Sequence, residues 1–213
     1  MANYVDNHFE ITNLHPEEAD CLEVQLATDS FCKFIKPMPS WMSVWKIKDG
    51  VHSHCLDECG IPVLTIPGGN ANIDAWRQWN WGPSGDIVDC EVERTGNNLS
   101  GYFATCWVPL KMSLMEEFAL KFPDATITLI YKDEGGEFCG GYLVNKGVAK
   151  GWGMDIEDLR DQWGKSIEGW NEMDEEERVD KWESVEDQVI KNVVLNSLGY
   201  MPRSNCTEEP DRA

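Results

Sequence analysis

Between His52 and Cys59 the chain reads His-Ser-His-Cys-Leu-Asp-Glu-Cys, which places two imidazoles and two thiols within eight residues. Imidazole nitrogen and thiolate sulfur are the ligands that tetrahedral zinc prefers, so His52, His54, Cys55 and Cys59 could complete one structural site. The surrounding stretch is broken by prolines and glycines and lacks apolar periodicity, so it would gain more order from a metal than a packed core would. The spacing is unlike common zinc-finger pairs, however, and four ligands on one short loop would crowd the ion. No cofactor is therefore expected, and zinc is the one that these residues could take.

A second set is made of carboxylates. Asp133 and Glu134 lie in a Gly-rich turn, and with Asp86 they could hold a divalent ion or act in acid–base chemistry on a nucleotide. No nucleophile or histidine accompanies them in the sequence. The simpler reading is a turn whose acids accept hydrogen bonds from local backbone amides. Trp76, Trp79 and Trp81 could stack nucleobases, but Arg77 is the only base near them and the next strand carries Asp89, Glu91 and Glu93. Single-strand sites need a positive groove, so core packing is the better account of these indoles.

The third set is the acids of the C-terminal part. The chain has 213 residues with 38 acids against 18 bases, a net charge of −20. From residue 151 onward there are 17 acids and 7 bases, about twice the acidity per residue of the part before. Asp155, Glu157, Asp158, Asp161, Glu172, Asp174, Glu175, Glu176, Glu177, Asp180 and Glu183 fall on predicted helices or, for Glu172, just before one. Rows of carboxylates on a rigid helix can imitate phosphates and enter a basic groove, while repelling nucleic acid itself. The plain alternative is a solvated helix face.

The elements that must position these residues follow from periodicity. Tyr4 to Thr12 alternates, with Val5, Phe9 and Ile11 on one side, and predicts a half-buried strand. Pro16-Glu17-Glu18 predicts a first helical turn, with Ala19, Leu22 and Leu26 on its apolar face. Residues 30–85 read as a long irregular insertion, with a short strand at Phe31 to Ile35 and a short helix carrying the tryptophans from Asp74 to Trp81. From Asp86 the pattern predicts a hairpin turning at Thr95 to Asn98, and a helix with Ser113 and Glu116 at capping-box spacing. A strand through Ile127, Leu129 and Tyr131 and a last one from Phe138 to Val144 follow.

The predicted fold is thus α+β, a ferredoxin-like split βαβ (strand, helix, two strands, helix, strand) plus an extra C-terminal strand. Trp76, Trp79, Trp81 and Trp107 are expected to fill the sheet face that the helices leave open. A short helix from Met154 to Trp163 and a longer one from Asp174 to Leu198 make an acidic extension. The expected units are residues 1–150, with insertion 30–85, and residues 151–213.

WRQWNWG, the strand end Trp107-Val108-Pro109, the helix end Phe122-Pro123 and YKDEGGEFCGG occur in that order. With MANYVDNHFEITN and the Pro-Met-Pro at 37–39, they resemble the YubB-type ferredoxin-like domain family of bacteriophages and plasmids over about residues 1–150. One departure is clear: Trp81-Gly82 continues as Pro83-Ser84-Gly85-Asp86, where that family has Thr-Lys-Trp-Asp. The resemblance implies a ferredoxin-like fold and a mobile-element origin, and no catalytic mechanism.

The chain begins without a basic, then apolar, leader, and no apolar run approaches membrane-spanning length, so the expected location is the cytoplasm of a bacterial host, with no membrane partner. Its eight cysteines then read as thiols rather than a disulfide framework. The expected function is non-enzymatic: a phage or plasmid accessory protein that binds a basic host protein, such as a defence nuclease or effector complex, and does not bind nucleic acid directly. A metal-dependent enzyme or nucleotide binder is the alternative.

Overall fold

The computed structural model describes residues 3–39, 47–48, 51–52 and 71–200. The His52–Cys59 cluster lies outside the described residues, apart from the backbone of His52. In chain order the elements are β1 (Tyr4–Thr12), α1 (Pro16–Ala27), α2 (Phe31–Ile35), β2 (Ile47–Lys48), β3 (Val51–His52), α3 (Ala71–Asn80), β4 (Val88–Thr95), β5 (Asn98–Cys106) and α4 (Met112–Lys121). There follow β6 (Thr126–Asp133), β7 (Phe138–Asn145), β8 (Val148–Asp155), α5 (Ile156–Gly164), α6 (Glu175–Glu183) and α7 (Glu186–Leu198). Six strands form one antiparallel sheet in the order β4-β5-β1-β6-β7-β8, and β2 pairs with β3 separately.

Alternation along the strands sorts the side chains onto two faces. On the first face, Val5, Phe9 and Ile11 of β1 sit beside Leu99 and Phe103 of β5 and Ile127, Leu129 and Tyr131 of β6. Helices α1, α2 and α4 close over them with Leu22, Leu26, Phe31, Leu114, Met115 and Phe118, all essentially inaccessible to water. Phe31 stacks near Phe103 and tilts against Phe118, which joins α2 and α4 to the sheet centre. Burial on this scale is the main stabilising term, about 1.5–3 kcal/mol for each large side chain fully removed from water.

The second face is covered over only half its width. Helices α5, α6 and α7 pack on β7 and β8 through Cys139, Leu143, Ile156, Leu159, Trp182, Ile190, Val194 and Leu198. Gly141 of β7 is what lets α7 approach: a Cβ there would meet Val194 Cγ1 and the Leu129 carbonyl oxygen at 2.5 Å each. Lys132 of β6 fastens the start of α7, its Nζ lying 2.7 Å from Glu186 and 2.9 Å from Asp187. The other half of this face, over β4, β5 and β1, carries no element among the described residues.

Several expectations need correction. Phe31 to Ile35 is a helix, α2, rather than a strand. Its first turn is capped from 54 residues away, where Asp86 accepts from the backbone N–H of Cys32 at 2.7 Å and of Lys33 at 2.9 Å. The tryptophans expected on the second face are not there: Trp81 and Trp76 pack into the first core, while Trp79 and Trp107 are 77% and 58% exposed. Trp152, Trp163 and Trp182 do that job instead. Ser113 caps nothing and donates to the Asn80 carbonyl oxygen, leaving Lys111 at the N-cap of α4.

Strand β8 was not expected, and it crosses residue 150, where a boundary between two units was placed. The predicted helix from Asp174 to Leu198 is two helices, broken at Ser184–Val185, with a capping box between Asp174 and Glu177 opening the first.

Candidate functional site

The acids of the C-terminal part lie on the outside of the layer that α5 and α6 make with the second sheet face. In α5, Ile156 and Leu159 point inward, so Glu157, Asp158 and Asp161 point to water. In α6, Trp182 is the buried anchor, and its ring lies 5.5 Å from that of Trp163, centroid to centroid. Glu176, Asp180 and Glu183, spaced by four and three residues, therefore share the opposite, exposed face. Their charges run along about 10 Å of helix axis. Their mean spacing is about 5 Å, somewhat wider than the one charge per about 3.4 Å of a nucleic-acid strand.

All eleven predicted acids are exposed. Asp174 and Glu177 are used locally, each accepting from the other's backbone N–H, and Glu175 lies 3.9 Å from Arg178. Asp155, Glu157, Asp158, Asp161, Glu172, Glu176, Asp180 and Glu183 make no side-chain hydrogen bond or ion pair among the described residues. Exposed Glu168 belongs with them and was missed. From Asp155 to Glu183 there are twelve acids and four bases. Of the bases, Arg178 is turned inward, donating to the carbonyl oxygens of Trp170 and Asn171.

The carboxylates considered for catalysis are committed elsewhere. Besides capping α2, Asp86 accepts from the N–H of Ile87. Asp133 is fully buried; Asn3 donates to it at 2.7 Å, and the N–H of Glu137 closes the turn onto it at 3.3 Å. Glu134 accepts from the backbone N–H of Tyr4. Only the bond from Glu137 to Asp133 is local to the turn, as expected there; Glu134 and Asp86 accept from backbone amides of β1 and α2, far away in sequence. Among the described residues, no group of three or more His, Cys, Asp or Glu side chains is arranged to hold a metal.

The open half of the second face was not foreseen as a site. Pairing places Asp6 between Ala104 and Lys132, His8 between Tyr102 and Ile130, and Glu10 between Ser100 and Thr128. Glu91 and Glu93 of β4 continue the same face beside Tyr102 and Ser100. The Tyr102 hydroxyl donates to Asp6 at 2.9 Å, and its ring lies 5.5 Å from that of His8. Burial first, and then Asp6, Asp89 and Glu134 around it, push the Tyr102 phenol up to about 12. Helix α7 walls this face on one side, leaving a groove of about 1340 Å³. Its floor is β1 and β6, and its wall presents Ile190, Lys191, Leu195 and Tyr200.

Three of the described thiols, those of Cys32, Cys90 and Cys139, hold their protons tightly. Burial, with Asp86 beside it, holds Cys32 well above the usual thiol range. Burial likewise moves Cys90 and Cys139 up to about 11.

No family model matches the sequence, and no curated protein matches it. Among solved structures, the crystal structure of protein api92 from Yersinia pseudotuberculosis, carrying the family-model name DUF1281, is similar at a TM-score of 0.44 and 12% identity, over 72% of this chain and 99% of that one. Among the described residues, no helix is long and apolar enough to cross a membrane.

Proposed function

We propose that the protein is a non-enzymatic accessory protein of a bacteriophage or plasmid that binds a basic protein of its bacterial host. The chain's own strand order supports reading β1, β4, β5 and β6, with α1 and α4, as a ferredoxin-like split βαβ unit, extended by β7 and β8. The motifs from Trp76 to Gly147 support a YubB-type relationship and hence a mobile-element origin. In that setting the partner is a nucleic-acid-binding component of a defence system, met in the host cytoplasm.

One observation carries the reading: nine carboxylates from Asp155 to Glu183 stand exposed on or beside α5 and α6 without a side-chain hydrogen bond or ion pair among the described residues. Charges held on a fixed frame lose little entropy on binding and can be matched to a groove built for phosphates. The mechanism is stoichiometric occlusion. It needs no cofactor, and it weakens as salt screens the exposed pairs, since the Debye length falls from about 10 Å at 0.1 M to about 3 Å at 1 M.

The test is affinity capture from bacterial lysate, with the wild type and with Glu176→Gln/Asp180→Asn/Glu183→Gln side by side. The proposal expects a nucleic-acid-binding protein that the wild type retains, that added duplex DNA or RNA displaces, and that the variant loses. Recovery of the same protein by both baits would sink it.

A further inference from the structure

The groove beside α7 is balanced in charge and ends in a cluster of neutral polar groups. Asp6, Glu10 and Asp187 share its lining with Lys132, Lys146 and Lys191, so neither an anion nor a cation gains a net advantage there. Helix α7 starts beside Lys132 and passes Gly141 at Val194, so it finishes over the far end, where Thr126 and Thr128 of β6 lie beside Thr12 and Glu10 of β1. Thr128 is only 8% exposed and lines the groove, yet its hydroxyl makes no hydrogen bond among the described residues. Next to it, Asn13 donates to the Thr126 hydroxyl at 3.2 Å, and that hydroxyl donates to Asn145 Oδ1 at 3.4 Å. These bonds leave the side-chain oxygen of Asn13 and the amino group of Asn145 uncommitted among the described residues. Asn192 accepts from Gln188 at 2.8 Å and keeps its own amino group, and the Asn98 amide completes the rim.

We infer that this groove binds a neutral oligosaccharide, with one sugar held at the Thr128–Asn145 end. A hydroxyl buried without a partner has lost its bonds to water, and a ligand that restores one is favoured. Each sugar hydroxyl both donates and accepts, and the threonine hydroxyl and asparagine amides offer both in return. Ile130, Ile190 and Leu195 make an apolar strip beside them, and Tyr200 adds a ring with a polar tip, which suits the C–H face of a pyranose. Size points to a chain of sugars. The groove holds about 1340 Å³, more than the roughly 300–1,000 Å³ of a small-ligand pocket, and its floor from Asp6 to Thr12 is about 20 Å long. A nucleic-acid strand would find amides for its bases, but would bring a phosphate with every residue into a lining without net positive charge.

This site is separate from the α5–α6 acids and does not rest on their role. The measurement is isothermal titration calorimetry on the full chain with two neutral sugars, maltohexaose and N-acetylchitohexaose. The cationic chitohexaose and the anionic hexagalacturonate are run beside them. At least one neutral hexamer should bind saturably, with a Kd that stays within about twofold between about 0.05 M and about 0.5 M salt. Thr128→Val, which keeps the shape and removes the hydroxyl, should weaken it by about two- to tenfold, the loss of one neutral hydrogen bond. Asn98→Ala/Asn192→Ala changes only exposed side chains, so it reads the site even where Thr128→Val disturbs the fold, and it should weaken binding by a similar factor. Binding of a neutral hexamer that neither variant changes would overturn the site. Tighter binding of either charged hexamer, or no binding of either neutral one, would overturn it as well.

Discussion

The two faces of the sheet are built by the same alternation and end up doing different work. The first is sealed: β1, β5 and β6 give it a largely apolar surface, interrupted by the buried, hydrogen-bonded pair Asn7 and Thr105, and α1, α2 and α4 cover it. The second is divided. Its β7–β8 half is capped by a smaller core under α5–α7, whose outer surface is charged, and its β4–β5–β1 half carries no element among the described residues. A sheet that buries one face and leaves part of the other free can hold a rigid binding surface without paying for it in stability. The comparison teaches where to look for function, namely on and around the second face.

The largest expected effect separates the two cores. Phe118→Ala empties the sealed face and should cost about 3–5 kcal/mol, seen as a global shift in denaturant melts. Gly141→Leu should act differently. It meets Val194 of α7 and the Leu129 carbonyl oxygen of β6, so hydrogen exchange should report lost protection in α6 and α7 while β1 and β5 stay protected. Equal loss of protection in all four elements would mean that the cores form one unit, and the contrast would fail.

Next in size is the fastening of α7. Lys132→Met removes the cation between Glu186 and Asp187 and should cost about 1 kcal/mol, since the ammonium is only partly screened from water. The pH dependence has a definite sign. Burial alone lowers the Lys132 ammonium, but its bonds to Glu186 and Asp187 outweigh this and hold it above its ordinary value. Burial raises the Cys139 thiol beneath the same layer to about 11. Both groups keep their protons more tightly when folded. Their contribution is therefore intact below the unfolded thiol value of about 8.5 and is lost as pH rises through the folded values. Chemical melts should show stability falling from about pH 8.5 to 11, and a rise over that range would contradict the assignment.

The smallest expected effect is on stability and is informative for that reason. Glu176→Gln/Asp180→Asn/Glu183→Gln touches no packing contact and should change unfolding free energy by less than about 0.5 kcal/mol, measured in urea. A large loss would make these acids structural.

Much of the sealed face was legible in the sequence, because its signals are local. The alternation at Val5, Phe9 and Ile11, the 3–4 spacing at Ala19, Leu22 and Leu26, and the hairpin turn before Leu99 each report one element's own burial. The errors arose where distant residues decide. Phe31 to Ile35 becomes helical because Asp86 supplies acceptors for its first N–H groups from across the fold. Strand β8 is an edge strand with Gly151 and Gly153 on the face turned toward Tyr142 and Tyr131, so its apolar alternation is muted. The acids from Asp155 to Glu183 could be read from composition. The groove could not, since Asp6, Ile130 and Ile190 come to line it only through the sheet order and the packing of α7.

The central claim is that the acids on α5 and α6 engage a basic, nucleic-acid-binding host protein. It is tested most directly by quantitative mass spectrometry of proteins co-eluting with the wild type and with the Glu176→Gln/Asp180→Asn/Glu183→Gln variant, each with and without competing duplex. The account predicts a nucleic-acid-binding protein enriched only by the wild type and released by the duplex. A partner enriched equally by both baits, or indifferent to the duplex, would contradict it.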